Sequence, residues 1–451
     1  MAGARGHGSA LELFAGRRGR FFATLLLAEL GAAMQGIAYS TVLPVVADDL
    51  DGAALYGATL AAGSIAAVLM LSVTGVVLAR VRPATVLLGA TALYVVGVAL
   101  AVTAPTMGWV LAGTLVRGVS AGLLGGFGTS ALGALYDERE RPRVFGLFAF
   151  VWILPSVVGP VLNAAIVESA GWRWAFAWPA ALVLGARVLM GRYVGAIPWD
   201  RGRQPSQLGT GLLVAAGLGV GAWGSGQGGT LGATVLVVGL AAAAGGFVAF
   251  VVRGSRGDGA PVRALLAFGA TCAAFFGMYE LFSLAVVEGL EEPLWWASAA
   301  LTGGLLGWSL AGLRPRPAAR PDRALVGSAL VLAGAAGVVV ALAWAGGAGA
   351  LALVVGAAVT AGVGMGLAYP LLSAAPFDVT APERVTAVGP QIAFAETAGT
   401  AWSALLCGGI YSLAAAGHAP HRAVLLAYVT AAALAVVAVV AVARRRLSPG
   451  R

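Results

Sequence analysis

The chain has no lysine: all 28 of its basic residues are arginine. A phosphate-cradling loop of the GxxxxGK type therefore cannot form, which removes the usual signature of nucleotide binding. Cysteine is nearly absent as well. Cys272 and Cys407 both lie inside apolar stretches, so neither a disulfide framework nor a CxxC zinc site can be drawn. The three histidines, His7, His418 and His421, fall in tail or loop positions. No metal, no cofactor and no enzymatic activity are expected. Charge is scarce too, since Asp, Glu, Lys and Arg make up 10% of the residues, against about 25% in soluble domains.

What is present is apolar sequence. Hydrophobic residues account for 59% of the chain and the mean hydropathy is +0.90. About 20 apolar residues cross a bilayer as a helix. Fourteen such stretches can be read: 21–46, 54–79, 84–104, 108–135, 143–167, 174–197, 208–224, 229–252, 264–289, 294–313, 324–345, 349–373, 385–415 and 421–443. The first is too long for a signal-peptide core and is expected to stay as a span. An all-α polytopic membrane protein follows.

Orientation comes from the arginines. Threading the spans from a cytoplasmic N-terminus puts Arg80, Arg82, Arg139, Arg141 and Arg143 in same-side loops. The later loops add Arg201, Arg203, Arg253, Arg256, Arg263, Arg314, Arg316, Arg320, Arg323 and Arg384, and the tail Arg444–Arg446. Only Arg173 and Arg422 fall opposite, and Arg117 is the one arginine placed inside a span. Cytoplasmic loops collect Arg and Lys, so both termini are expected inside, in a plasma (inner) membrane. Trp109, Trp172, Trp174, Trp223, Trp295, Trp296 and Trp344 all fall at the opposite ends, as an interfacial belt requires. A net charge of +9 would point to nucleic acid in a soluble protein. Beside apolar spans it reads as attraction to anionic headgroups, so lipid and not nucleic acid is the expected partner.

An internal repeat is visible. Ala121-Gly122-Leu123-Leu124-Gly125-Gly126 resembles Ala361-Gly362-Val363-Gly364-Met365-Gly366 at an offset of 240, and VVADDLDGAALYGATLAAG echoes VVEGLEEPLWWASAALTGG at 241. Halves eight spans apart imply six helices, two inserted, then six. The expected division is a tail at 1–20, a six-helix bundle at 21–197, a two-helix linker at 198–263, a second bundle at 264–443 and a tail at 444–451. Parallel repeats of this kind mark transporters with a midplane site between halves.

Four segments carry a family resemblance. They are Met34-Gln35-Gly36-Ile37-Ala38-Tyr39-Ser40-Thr41-Val42-Leu43-Pro44 with Asp48-Asp49-Leu50, Arg117-Gly118 with Gly122 and Gly126, Gly159-Pro160, and Gly171-Trp172-Arg173-Trp174-Ala175-Phe176. At these span positions the chain resembles the major facilitator superfamily, in its fourteen-span drug:proton antiporter branch. The resemblance implies two six-helix bundles with two linker helices, alternating access, and a bend at Gly159-Pro160 linked to export. The chain departs from the pattern at three places. Ala79 stands where the loop between spans 2 and 3 has Asp, Gln35 where span 1 has an acid, and Asn163-Ala164 where span 5 has Gly-Gly.

Acids inside spans are costly and face a cavity or a partner. Glu29, Glu280 and Glu396 are the proton-coupling candidates, because a carboxyl shut away from water favours its protonated form and ionises when water enters. Simple hydrogen bonding between helices is the alternative for each. Arg117, about 13 Å into its span, needs a partner, and Glu29 or Gln35 is the candidate. Gly159 and Pro160 should kink span 5. The ladder Gly118, Gly122, Gly126 and Ser130 reads as close helix packing. Tyr39, Ser40, Trp152, Asn163, Phe394 and Trp402 are candidates to line a substrate cavity, or else to face lipid and neighbouring helices.

The leading expectation is a monomeric secondary exporter of amphiphilic, drug-like small molecules in exchange for protons. Export of an endogenous lipid or secondary metabolite is the alternative. A non-transporting sensor that keeps the fold is the reading that Ala79 and Gln35 would favour. ATP-driven transport would need a partner chain.

Overall fold

A computed structural model describes residues 13–51, 55–197, 206–227, 229–255, 258–313, 322–344, 347–381, 384–415 and 419–446. His7, His418 and the loop arginines Arg201, Arg203, Arg256, Arg314, Arg316 and Arg320 lie outside the described residues, as do the side chains of Ser40, Pro160 and Trp295. Among the described residues the chain is helical throughout, without a strand. Lipid offers no hydrogen bonds, so each long apolar run satisfies its own backbone as a helix.

The helices are α1 Gly16–Asp49, α2 Tyr56–Arg80, α3 Pro83–Val102, α4 Met107–Leu135, α5 Arg141–Val151, α6 Ile153–Ala170, α7 Trp172–Gly191, α8 Leu208–Ser225 and α9 Gly229–Gly254. They continue with α10 Gly259–Tyr279, the short α11 Phe282–Leu284, α12 Leu294–Leu313, α13 Asp322–Ala343, α14 Ala348–Asp378, α15 Val385–Ala415 and α16 Pro420–Arg446. Thirteen segments are long and apolar enough to cross a membrane among the described residues. α12, 20 residues without a charged side chain, makes a fourteenth. The helices α1–α7 pack among themselves, and so do α10–α16. The pair α8–α9 forms a hairpin that lies against α2 and α15.

Glycine sets the spacing. A Cβ on Gly122 would meet the Ala67 carbonyl at 2.5 Å, and one on Gly362 would meet the Gly304 carbonyl even more closely. The Gly118, Gly122 and Gly126 ladder thus lets α4 and α2 approach backbone to backbone, and Gly362 and Gly366 do the same for α14 and α12.

Two spans are broken. The fifth stops at Trp152, between α5 and α6. Pro155 lacks the N–H that would bond the Val151 carbonyl, and its ring crowds that turn. Beyond this break α6 runs on through Gly159 and Pro160, where the bend was expected. The ninth span is interrupted at Glu280–Leu281 and resumes as α11 and a wide π turn over Ala285–Gly289.

Candidate functional site

The first polar cluster lies between the two helix groups. Glu29 projects from α1, and the indole Nε1 of Trp152, at the break in the fifth span, donates to its Oε1 at 3.2 Å. Glu396 projects from α15, and the Tyr369 hydroxyl of α14 donates to Oε1 at 2.9 Å and Oε2 at 3.1 Å. α15 packs against α2 and α4 of the first helix group, so the two carboxyls come from helices on either side of the seam. Neither is paired with a cation among the described residues. Tyr369 is held in place by Phe268 and Trp308, each ring 5.5 Å away. One acid thus comes from each helix group, and each is met by a single neutral donor. Such a site can take up and give back a proton without disturbing an ion pair.

Glu280 does not join them. It sits exposed at the break after α10 and makes no hydrogen bond or ion pair among the described residues.

The second cluster is buried among α1, α3, α4 and α7. Arg117 does not pair with Glu29 or Gln35, which corrects the expected partnership. Glu29 lies about 15 Å below Tyr39 along α1, and the Gln35 amide is already used. Its Nε2 donates to the Phe176 carbonyl at 3.1 Å, and its Oε1 accepts from the Tyr94 hydroxyl at 2.6 Å. The Arg117 guanidinium instead lies over the Tyr39 ring, 3.5 Å from its centroid. Phe176 stacks on the other face of that ring at 3.9 Å.

A second buried arginine belongs to this cluster and corrects the reading that Arg117 alone lies inside a span. Arg187 of α7 is 7% exposed, sits over the Tyr94 ring at 4.6 Å and donates from Nη1 to the Ala90 carbonyl at 3.3 Å. It lies only about 6 Å from the end of its helix but inside the expected span 174–197, and it was not singled out from the sequence. Helical side chains lean toward the N-terminus, so on α7 this one leans back into the membrane rather than out to the arginine-rich surface. That direction is the signal that would have identified it. Arg117 Nη1, Arg187 Nε and the Tyr39 hydroxyl have no well-formed hydrogen bond, although the Tyr39 hydroxyl has the Arg117 guanidinium beside it. Burying an ion costs several kcal/mol even after relaxation, whereas a cation–π contact returns about 0.5–2 kcal/mol. Polar donors are in excess here.

The remaining cavity candidates pack elsewhere. Phe394 is fully buried and stacks on Phe250 of α9 at 3.6 Å. The Trp402 indole donates to the Leu240 carbonyl of α9 at 2.9 Å. Both therefore anchor α15 to the linker hairpin. Asn163 is buried, accepts from the Trp178 indole at 3.0 Å and donates to the Thr41 hydroxyl at 3.4 Å. Gly159 lets α6 approach Ile37 of α1, where a Cβ would come within 2.9 Å. Tyr39 is closed in by its stack, while Trp152 is 37% exposed and stays beside Glu29.

At the arginine-rich end the two helix groups are clamped. Arg141, opening α5, pairs with Asp378, closing α14, at 3.0 Å, and also donates to the Gly133 and Tyr136 carbonyls. Arg18 grips Glu140 through two bonds of 2.7 and 3.1 Å. Gly146 of α5 faces the Gly312 carbonyl across the same seam. Charged groups on α5 and α14 make this join, where Ala79 leaves the loop between α2 and α3 without an acid.

Two groups of membrane helices that clamp at one end and meet around unpaired acids at their middle define a membrane transporter. The chain belongs to the Major Facilitator Superfamily, whose model matches residues 25–404. That family comprises transporters rather than enzymes. The methylenomycin A resistance protein of Bacillus subtilis is 30% identical over 123 residues, covering 26% of each chain. The multidrug efflux pump SdrM of Staphylococcus aureus is 24% identical over 152 residues, 34% of each chain. The chain therefore matches about a third or less of the length of these curated relatives. Among solved structures, a human organic anion transporter, MFSD10, superposes with a TM-score of 0.70 at 14% identity, over 95% of this chain and 100% of that one. The fucose:proton symporter of E. coli superposes at 0.63 with 14% identity, over 95% and 98%. Both show the shared fold.

Proposed function

We propose that this chain is a secondary active exporter of amphiphilic, drug-like molecules, working by alternating access in exchange for protons. The observation that carries it is the presence of one span acid in each helix group, Glu29 and Glu396, each met by a neutral donor and with no cation on either among the described residues. Resistance and efflux relatives support the direction and the substrate class. In this reading residues 21–197 and 264–443 rock as two bundles about the 198–263 linker, in one monomer. The arginine-rich end and both termini face the cytoplasm of a cell in whose plasma membrane it sits. Proton release from the pair opens the way for substrate, and substrate release lets protons return.

The test is substrate-driven proton movement in proteoliposomes carrying a lipophilic dye. Glu29→Gln with Glu396→Gln is expected to cut proton-coupled flux by about 100-fold or more, the scale on which loss of a proton-transfer group acts, while Glu280→Gln is expected to act weakly. Unchanged flux in the double variant with the pH gradient collapsed would refute proton exchange through the pair. Export of a secondary metabolite is the second reading. A relative from the acurin A biosynthesis cluster of Aspergillus aculeatus, 25% identical over 159 residues, favours it.

A further inference from the structure

Two guanidinium groups sit inside one helix group with no carboxylate bonded to either among the described residues. Arg117 and Arg187 approach from α4 and α7 onto one stretch of α3, where Arg187 lies over the Tyr94 ring and the Arg117 side chain packs against Gly97 one turn on. Three donors at this place have no well-formed hydrogen bond: Arg117 Nη1, Arg187 Nε and the hydroxyl of Tyr39. Arg187 and Tyr39 are each 7% exposed, so water does not serve them as it serves surface groups. The neutral residue best placed to compensate is Gln35, whose amide is already bonded on both sides.

Packing does not require this charge. At the offset of 240 the other helix group has Phe275, Tyr279, Gly334 and Ala357 where this one has Gln35, Tyr39, Tyr94 and Arg117, and α16 has Ala435 at the depth that Arg187 has in α7. The same helix frame closes there with one tyrosine and no cation. Aromatic faces recover only a small part of the cost of holding one buried cation, Arg187, and one half-buried, Arg117, beside each other. The arrangement becomes favourable when one negative group joins it, accepting from guanidinium N–H and phenolic O–H donors together.

We propose that Arg117, Arg187 and Tyr39 form a binding site for one anionic group, the carboxylate or sulfonate of an amphiphilic substrate or a small inorganic anion. As a substrate subsite it rests on the exporter reading above and narrows it, by adding organic anions to the molecules carried. The site is separate from the Glu29–Glu396 pair, so an anion and a proton can be held at the same time.

The experiment is thermal unfolding of the purified full chain in lipid nanodiscs, in zwitterionic buffer without added salt. It is titrated in one arm with sodium chloride and in another with a naphthalene sulfonate. A saturable rise in the unfolding midpoint is expected, as for any ligand that binds only the folded form. Saturation by chloride assigns the source to inorganic anions, and saturation by the sulfonate alone assigns it to substrate. Arg187→Gln is expected to weaken the binding at least ~10-fold, as loss of one partner of a buried charged contact does. Gln35→Glu keeps both cations and supplies an internal carboxylate. It should raise the midpoint without ligand and abolish the response, which decides the matter if Arg187→Gln fails to fold. No saturable rise with either anion, or an undiminished rise in Gln35→Glu, would overturn the site. Dye efflux by cells making the wild-type chain separates the two readings. Efflux without the anion response removes only this site, and the response without efflux removes only the exporter reading.

Discussion

Gly97 of α3 lies against Arg117 of α4, and 240 residues on Gly337 of α13 lies against Ala357 of α14. The two contacts occupy the same place in two copies of one helix pair, and they differ by a charge. Around the first, Gln35, Tyr39, Tyr94 and Arg187 form a bonded polar cluster. Around the second, Phe275, Ala357 and Ala435 are buried and apolar. The glycine-spaced frame is therefore indifferent to what fills it, and polar chemistry has been placed on one side only. The frame also tolerates unequal use of its interface. Its two hydrogen-bonded span acids, Glu29 and Glu396, come from α1 and α15, which are not equivalent helices in the repeat.

Moving the charge tests the comparison most severely. Ala357→Arg would place a guanidinium at the position equivalent to Arg117, where no tyrosine ring or amide awaits it and Gly337 presses close. An arginine at the centre of a membrane helix costs about 2.5–3.5 kcal/mol on insertion scales, and overpacking adds about 1–3 kcal/mol. The expected outcome is little or no folded protein in the membrane fraction, read as monodisperse protein after detergent extraction. A well-folded Ala357→Arg variant would show that the second helix group accepts a buried cation, and the asymmetry would lose its physical meaning.

The glycines give a smaller contrast. A Cβ on Gly97 would meet the Gly113 carbonyl at 2.7 Å and Arg117 Cγ at 2.8 Å, whereas one on Gly337 would meet only the Ala357 Cβ at 3.1 Å. Gly97→Ala is expected to cost about 1–3 kcal/mol, because two backbones and a buried charge must shift. Gly337→Ala should cost less than about 1 kcal/mol, since one methyl group can yield by a few tenths of an ångström. Unfolding midpoints measured side by side check the order.

Much of this architecture was legible in the residues, and the parts that were not share a cause. Apolar runs, loop arginines and the glycine ladders mark spans and close contacts because each depends on composition or spacing along one helix. Arg117 stood out because a charge ten residues inside an apolar run has no surface to reach. Arg187 lies as deep in its expected span, 174–197, and was overlooked there; α7 ends sooner, at Gly191, and the lean of the side chain carries it inward. The break at Trp152 follows from Pro155, a proline passed over in the sequence in favour of the nearby Gly159-Pro160 pair. Tyr369 gave no signal, since a tyrosine in an apolar run looks the same whether it faces lipid or Glu396. Phe394 and Trp402 were assigned to a cavity because their helix lines one. Which face of that helix meets the α8–α9 hairpin is decided by tertiary packing.

The finest contrast uses two equivalent tyrosines. Tyr39 and Tyr279 are 240 residues apart, and each sits in the first helix of its group. The Tyr279 hydroxyl donates to the Leu301 carbonyl at 3.1 Å, whereas the Tyr39 hydroxyl has no well-formed hydrogen bond. Removing a satisfied hydroxyl loses its bond, so Tyr279→Phe is expected to destabilise by about 0.5–1.5 kcal/mol. Removing an unsatisfied one loses nothing and relieves a buried polar group, so Tyr39→Phe in anion-free buffer is expected to be neutral or slightly stabilising. The ring of Phe keeps the stack between Arg117 and Phe176, so packing is matched in the two variants. A loss of stability in Tyr39→Phe equal to that in Tyr279→Phe would mean that the Tyr39 hydroxyl is already bonded in the resting protein. The polar cluster of the first helix group would then be complete without a ligand.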